Sequence, residues 1–587
     1  QGGTVDINGS TAYIAATEVN VSYAGGLFNI AIPVGTTVGT AIDHFGTTTG
    51  PASSGVSGDE HVIYGVGKAQ ADPIQMLFSG NLGFALAQQA GIDNGDIILA
   101  ANFDVSDKNV ATGSVDDGNT QFFDPVDRTS ETQANIFLSG IDVTSDLLAI
   151  TPNTVRVDAF PQGTGDSNFA GDLLLAGIEV AAVTASDGVD ISIDGDVLLY
   201  SRGMGESGFA VLDPAQLDGL GGRAFIQSNS GSTITIGGNT RLDASASNAN
   251  DAQLLIGGDA LGGFASIQAI GGTIDLGGTV TLTADADGTG RIEGLQQGGR
   301  HEGGTAEILA DQDGTINIAS DVQITARAIA ALVDSTVASP ATLGGRAVAG
   351  VAGAGGALNI GGSLLADSTA RGSFGQTPGS GSQGAGGTSD LFISPQDTGA
   401  TSQISVAGDV TLVASGEGSR NDNGVGGEGR GGSARIGNSG GTMDIGGNVN
   451  AVADGVGGIG IGGGDGRGGV AGIFAGIGDI SVAGAANINS SGIGGAASVG
   501  AGGRGGDGTG GNAFVQAEGD LTRTGSITIL GGASVTSRGI GGTGGAEGSE
   551  GEAAGRGGDG FGGTFTQTNA FDSNLVNGAY ILAFGDN

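Results

Sequence analysis

Cysteine and tryptophan are absent from this 587-residue chain; histidine occurs only as His44, His61 and His301, and lysine only as Lys68 and Lys108. Without cysteine there is no disulfide framework, thiolate metal site or cysteine nucleophile, and three imidazoles leave little for acid–base chemistry. Positive charge is scarce too: 20 Lys and Arg face 61 Asp and Glu, for a net charge of −41. A field of that sign repels nucleic acid and anionic headgroups, so no nucleic-acid partner is expected. Long apolar runs are also missing. The most apolar stretch, Asp172 to Ala185, is broken by Glu179, so no transmembrane segment is expected. The chain opens on Gln1 with no basic-then-apolar leader, which predicts a processed or partial polypeptide with any export signal upstream.

Glycine is what abounds: 125 residues, where average usage would give about 41. A pattern recurs, as Thr233-Ile-Thr-Ile-Gly-Gly-Asn-Thr-Arg-Leu-Asp-Ala, Thr273-Ile-Asp-Leu-Gly-Gly-Thr-Val-Thr-Leu-Thr-Ala and Thr315-Ile-Asn-Ile-Ala-Ser-Asp-Val-Gln-Ile-Thr-Ala. Anchored on its first apolar residue it runs Ile191, Ile234, Ile274, Ile316, Leu358, Ile404, Met443, Ile480 and Ile527, with a mean spacing of 42 residues. A wandering spacing about a fixed mean belongs to a stacked unit with variable loops.

Within the unit the alternation has period 2. Ile274, Leu276, Val280, Leu282 and Ala284 share one face, and Thr273, Asp275, Thr279, Thr281 and Thr283 the other, which predicts two short strands around a Gly277-Gly278 corner. Segments such as Ala265-Ser-Ile-Gln and Ala306-Glu-Ile-Leu predict a third strand. About three strands and three corners make one coil of a right-handed parallel β-helix, an all-β solenoid. A coil needs only about 20 residues, so one well-formed coil plus a variable excursion is expected per unit. Ile274, Ile316 and Ile404 should stack in one interior column.

The excursions carry glycines at every third position: Gly457, Gly460, Gly463, Gly466 and Gly469; Gly502, Gly505, Gly508 and Gly511; and Gly539, Gly542, Gly545, Gly548, Gly551, Gly557, Gly560 and Gly563. No proline follows Pro395, so collagen is excluded, and the open alternatives are polyglycine-II-like segments or mobile glycine-rich loops. Domain organisation follows: residues 1–185 as an irregular β-rich start, 186–565 as about nine repeats, and 566–587 as a tail. In that tail Asn577 to Phe584 either caps the last coil or pairs with another subunit.

Gly2 to Thr36 contains Ala12-Tyr-Ile-Ala-Ala16 and Gly26-Leu-Phe-Asn-Ile30 ahead of the repeats. In this it resembles the filamentous-haemagglutinin-type exoproteins exported by two-partner secretion in Gram-negative bacteria. The resemblance implies secretion through an outer-membrane partner, a right-handed parallel β-helix rod, and an adhesive or matrix role at the cell surface. The family's Asn-Pro-x-Gly secretion motifs do not occur in these residues, which leaves the manner of attachment open.

Candidate chemistry is sparse. Gly437-Asn-Ser-Gly-Gly441 fits the G-x-S-x-G form, and G-x-G-x-x-G recurs, but both are common in a glycine-rich chain and neither has its strand-to-helix context. Gly502-Gly-Arg-Gly-Gly-Asp507 fits part of a calcium nonapeptide, with Thr509 where an apolar residue belongs. Asp285-x-Asp287-Gly and Asp311-x-Asp313-Gly are acidic turns, and weak surface calcium at one of them is the only cofactor entertained. Asp190, Asp194 and Asp196 are the nearest approach to a glycosidase or lyase carboxylate cluster, and His61 beside Asp59 and Glu60 the nearest to a metal or acid–base site. None outweighs the structural reading. No catalytic, cofactor or metal residue is assigned, and the expectation is a non-enzymatic adhesin or matrix rod. Its partners would be cell-surface or matrix glycans or, as the alternative, further copies joined head to tail in a fibre. A polysaccharide lyase or hydrolase comes third.

Overall fold

The computed structural model describes residues 3–6, 8–24, 26–51, 61–85, 96–102, 105, 133–150, 153–158, 165–205, 218–248, 250–251, 256–288, 293–295, 299–330, 334–335, 340–374, 379–394, 402–498, 503–518, 525–545, 560–561, 564–565 and 581–584. Among them there is no helix, and nearly every strand lies parallel to its partner, as a parallel β-helix requires. The chain divides into two compact units. One comprises Gln1–Ser201, Arg223–Asp243 and Ala269–Thr279, the other Arg202–Gly222, Ala244–Gln268 and Val280–Asn587.

In the first unit the stacking begins at Thr4–Asp6, which pairs with Thr47–Thr49. One wall is built from Thr11–Ala15, Ile63–Gly67, Ile97–Ala101, Leu147–Ile150, Leu173–Ala176, Val197–Tyr200 and Thr240–Asp243, each parallel to the next. A second wall runs through Ile74–Leu82, Ala134–Val143, Thr154–Asp158, Val180–Ala185 and Arg223–Asn229. The described residues of the irregular first 185 are therefore already coiled. The residues that carry the family resemblance divide between the first wall strand, Thr11–Ala15, and an antiparallel hairpin of Glu18–Ala24 with Leu27–Val34. Leu27, Ile30 and Ile32 of that hairpin pack with Tyr64, Val66 and Ile98.

The second unit is more regular: among the described residues five strands recur coil after coil where the period-2 pattern predicts about three, and some coils carry a sixth, such as Asp334–Ser335. Thr342–Leu343, Arg346–Val351, Ala357–Ile360, Leu364–Asp367 and Ala370–Arg371 make one circuit, and Gly384–Ala385 then pairs back on Thr342–Leu343. The two extra strands are two residues long and rich in Gly and Ala, so they leave no hydrophobic alternation to read.

Three of the strands enclose the core. The anchor column is in register: Ile191, Ile234 and Ile274 pair in sequence in the first unit, and Ile316, Leu358, Ile404, Met443, Ile480 and Ile527 in the second. All are buried, and each buried side chain of this size stabilises by about 1.5–3 kcal/mol. The cross-section is thin, which accounts for the preference for Ile, Val, Leu and Ala over aromatic rings.

The remaining two strands form a flat arm with a closed neck. In successive coils one transverse bond ties the chain across: Gly263 N–H to Ala244 O, Gly304 to Ala284, Gly345 to Ala326, Gly387 to Ser368, Gly432 to Ala414, Gly469 to Ala453 and Gly511 to Ser490. At Gly431-Gly432-Ser433 three consecutive N–H groups donate in three directions, to Arg467 O in the next coil, to Ala414 O across the neck and to Gly387 O in the preceding coil. No side chain fits here, because a Cβ on Gly432 would lie 2.0 Å from Gly387 O.

Beyond the neck the backbone changes symmetry. Ala414, Gly416 and Gly418 donate to the next coil at every second residue, as a strand does; Gly418 and Asn421, then Gly426 and Gly429, donate at every third. In the following coil Gly457, Gly460, Gly463 and Gly466 all donate forward, to Ile493, Ala496, Arg504 and Asp507. A donor pointing the same way at every third residue is the mark of an extended threefold helix. The period-three glycines are thus ordered, polyglycine-II-like segments in these arms. Of the last such run, Gly548, Gly551, Gly557 and Gly563 lie outside the described residues.

The two layers of the arm touch backbone to backbone. A Cβ on Gly416 would meet Arg430 O, and one on Gly455 would meet Arg467 O. Toward lower residue numbers the facing positions are Ala246, Ala260, Ala286 and Ala328, which form a small apolar cluster, and here the gap is wide enough for a methyl group.

Candidate functional site

The carboxylates singled out above serve the stack. At the corner before the third strand, a side-chain oxygen of one coil accepts the backbone N–H of the same position one coil on. In the first unit the bonds run Asp146 to Asp172, Asp172 to Asp196, Asp196 to Asn239 and Asn239 to Thr279. In the second they run Asp321 to Ser363, Ser363 to Asp409, Asp409 to Asn448 and Asn448 to Ala485. Asp, Asn and Ser recur there because each carries a short oxygen acceptor that reaches the next N–H. Burial, together with the neighbouring charges of Asp146 and Asp196, raises the Asp172 pKa, against the bond from Asp196 N–H that lowers it.

This ladder accounts for the Asp190, Asp194 and Asp196 group. Asp190 Oδ1 accepts Thr233 N–H at 2.7 Å and Asp196 Oδ1 accepts Asn239 N–H at 2.7 Å, on either side of the strand Ile191–Ile193, while Asp194 is exposed. The carboxylates do not converge on a groove.

The acidic turns are likewise engaged. Asp285 is buried and grips Arg327 through Oδ2, at 2.6 Å from Nη2 and 3.1 Å from Nε, while Oδ1 accepts the Arg327 N–H. That side-chain bond raises the arginine pKa. Asp311 and Asp313 frame a tight turn with Gln312 and Asp313 in the left-handed region, and their carboxylates lie against Gly353 and Gly355 of the next coil. Asp507 is paired with Arg504 at 2.5 Å, and Gly502 of that motif lies outside the described residues. Among the described residues no group of three or more His, Cys, Asp or Glu is placed to hold a metal ion.

Each histidine has a structural setting. His44 Nδ1 lies 2.9 Å from Ser79 O and Nε2 3.0 Å from Thr48 Oγ1, which also meets the Tyr13 hydroxyl at 2.6 Å; burial lowers its pKa. His61 Nδ1 is 2.8 Å from Pro51 O and its ring tilts against Phe84, with Asp59 and Glu60 outside the described residues. His301 is inserted into an arm between Ala260 and Thr342. Burial there lowers its pKa to about 4 against the attraction of Asp259, and its Nε2 has no hydrogen-bond partner.

Gly437 and Asn438 end the strand Ser433–Asn438, and Ser439 to Gly441 turn the chain into the strand Thr442–Ile445, so the motif is not a nucleophile elbow. Asn438 is buried and holds the turn, donating to Gly441 O and Asp479 O while accepting Gly440 N–H.

Two features escaped the sequence reading. One is the neck, whose signal is the pair of glycines before the first core strand of each coil: Gly262-Gly263, Gly303-Gly304, Gly344-Gly345, Gly386-Gly387, Gly431-Gly432 and Gly468-Gly469. The other is the outward face of those same strands, which in the second unit carries Phe392 and Phe474 with Arg346 and Arg435. Arg346 pairs with Glu307 at 2.6 Å and Arg435 with Asp390 at 3.0 Å. No protein-family model, no curated protein and no solved structure matches this chain.

Proposed function

We propose that this chain is a secreted, non-enzymatic structural protein of a Gram-negative cell surface, an adhesin or matrix scaffold of the filamentous-haemagglutinin kind. The observation that carries the reading is the corner ladder. Coil after coil, acidic and amide side chains that a catalytic groove would need free are committed to the backbone of the next coil. Commitment of this sort suits a protein whose task is to hold a surface in place. The outer-membrane secretion partner and the extracellular location follow from the family resemblance at Ala12 to Ala16 and Gly26 to Ile30.

The alternative is a fibre of further copies joined head to tail. Electron microscopy of producing cells, with antibody-gold labelling and before any extraction, tests both readings. Label on separate projections at the cell surface supports the adhesin, and long filaments with a regular axial repeat support the fibre. Label confined to the cell interior, or steady release of sugar fragments from polysaccharide by the purified chain, refutes the proposal.

A further inference from the structure

Asn-Gly occurs four times in the chain, and two of the pairs, Asn8-Gly9 and Asn423-Gly424, lie among the described residues. The first lies in a turn between strands, and the second interrupts a strand at the tip of an arm. The ladder at that tip is uneven. Asn421 pairs with Gly460 and Val425 with Gly462 of the next coil, so Asp422, Asn423 and Gly424 stand opposite Ile461 alone. Residues in excess of what the partner strand can pair are released from the ladder as a bulge, and Asp422 and Asn423 are exposed accordingly. On either side the chain is fixed: Asn421 N–H donates to Ile459 O, Val425 N–H to Gly379 O and Gly426 N–H to Gly462 O.

The buried asparagines nearby are placed otherwise. Asn421 donates through Nδ2 to Gly379 O at 3.1 Å and accepts Asn423 N–H on Oδ1 at 3.2 Å, and an aspartate follows it. Asn438 has its amide held by Gly440, Gly441 and Asp479, and a serine follows it. A side chain on the following residue crowds the approach of that residue's nitrogen to the asparagine Cγ, and glycine has none. Exposure to water, release from a ladder and a following glycine meet at Asn423.

We propose that Asn423-Gly424 is a site of spontaneous modification, at which the asparagine amide is lost through a succinimide to leave aspartate and isoaspartate. Gly424 N gives its proton to hydroxide and attacks Asn423 Cγ; the N–Cγ bond forms, the Cγ–Nδ2 bond breaks, and Nδ2 leaves as ammonia with a proton taken from water, which regenerates the hydroxide. Water then opens the ring. Attack at Cγ restores the ordinary peptide as aspartate, and attack at the main-chain carbonyl carbon leaves Gly424 joined through Cγ as isoaspartate. Nothing is oxidised or reduced, and water is the only co-reactant. Either product adds a negative charge to a chain already at −41, beside Asp422, which accepts Arg420 Nε–H at 2.7 Å. Isoaspartate also lengthens the backbone by a methylene, at a bulge that already takes up surplus chain. The core is untouched, and the proposal stands apart from what the arms bind.

The test is to incubate the whole folded chain at neutral and at mildly alkaline pH, map its peptides by mass spectrometry and detect isoaspartate by enzymatic methyl transfer. Conversion of Asn423 to both products is expected, faster by about tenfold per pH unit because the attacking nitrogen must lose its proton, while Asn421 and Asn438 stay intact. Unfolding in urea should change the Asn423 rate by less than about tenfold, since the bulge needs no opening to react. Asn423→Gln, whose ring would need one more atom, should abolish the products. Gly424→Ala, at a residue outside the left-handed region, should slow them by about tenfold. Neither should move the melting curve, and Asn423→Gln keeps the test decisive if Gly424→Ala misfolds. An intact Asn423 in the folded chain, aspartate without isoaspartate, or conversion seen only after unfolding overturns the proposal.

Discussion

Replacing Gly432 with alanine adds one methyl group to a 587-residue chain, and the neck geometry predicts that this alone opens a coil. The added Cβ would lie 2.0 Å from Gly387 O and 2.5 Å from Gly386 C, about 1.4 Å short of ordinary contact. Backbone carbonyls of a neighbouring coil cannot swing aside as a flexible side chain can, so the coils must separate. Separation breaks the Ser433 N–H to Gly387 O bond at 2.8 Å and the transverse Gly432 N–H to Ala414 O bond at 2.6 Å. At about 1–3 kcal/mol for each buried group left unsatisfied, the loss is about 2–6 kcal/mol. The restricted unfolded chain returns about 0.5–1 kcal/mol, for a net destabilisation of about 1–5.5 kcal/mol. Gly437→Ala is the matched control: the same substitution, where nothing lies within 4 Å, should be neutral or stabilise by about 0.5–1 kcal/mol. Urea denaturation of both proteins, with amide hydrogen exchange read at Ser433, measures the difference. Equal midpoints for Gly432→Ala and the parent, or equal losses in the two variants, would refute the reasoning.

Ile316→Asp places a carboxylate in a fully buried column and should cost about 5 kcal/mol or more; hydrogen exchange should accelerate in the adjoining coils, and an unchanged melting curve would contradict the register. Asp409→Ala removes the acceptor of Asn448 N–H and should cost about 1 kcal/mol in denaturant, with Asp409→Asn restoring most of it because Asn239 and Asn448 fill the same role. His301 has its pKa lowered to about 4, so the unfolded chain takes up a proton that the folded chain resists. Stability therefore falls as the pH drops from about 6.5 to about 4, by about 3 kcal/mol in all. Asp158, Asp390 and Asp454, whose pKa values burial raises, act in the opposite sense as each takes its proton in the fold. The test is therefore the difference from His301→Thr, which copies Thr342 in the adjacent coil and should lose less stability between pH 7 and 4.5; parallel pH profiles would exclude His301 as the source. Calcium should leave the melting temperature unchanged against chelator, because Asp285 and Asp507 are held by Arg327 and Arg504; a rise of several degrees would reassign those turns.

The core was legible because its signal is periodic: one apolar residue at each second position and one anchor about every 42 residues place Ile234 on Ile274 and Leu358 on Ile404 without further information. The arm was only half legible. Glycine at every third position announces a threefold backbone, but whether Gly457, Gly460 and Gly463 are ordered depends on carbonyls contributed by Ile493, Ala496 and Arg504 one coil later, and no local pattern encodes that. Two-residue strands such as Gly416–Glu417 are invisible for the same reason. Phe392 and Phe474 read in sequence as unremarkable strand residues 82 positions apart. Only the register, with Gly437 between them, makes them neighbours.

Because the bond from Gly432 N–H to Ala414 O shuts the ring before the arm begins, chain length in the arm is uncoupled from the pitch of the core. The separation from Gly455 to Gly466 already differs from that between Gly492 and Gly508, although the core strands Val449–Val452 and Ala486–Asn489 stay in step. A residue inserted at an arm tip has no lever on the apolar column. The same insertion within Leu364–Asp367 would turn every following side chain of that strand to the wrong face. Variation in such a protein is thereby channelled outward: tips can lengthen, shorten and change composition while the interior keeps one unaltered cross-section.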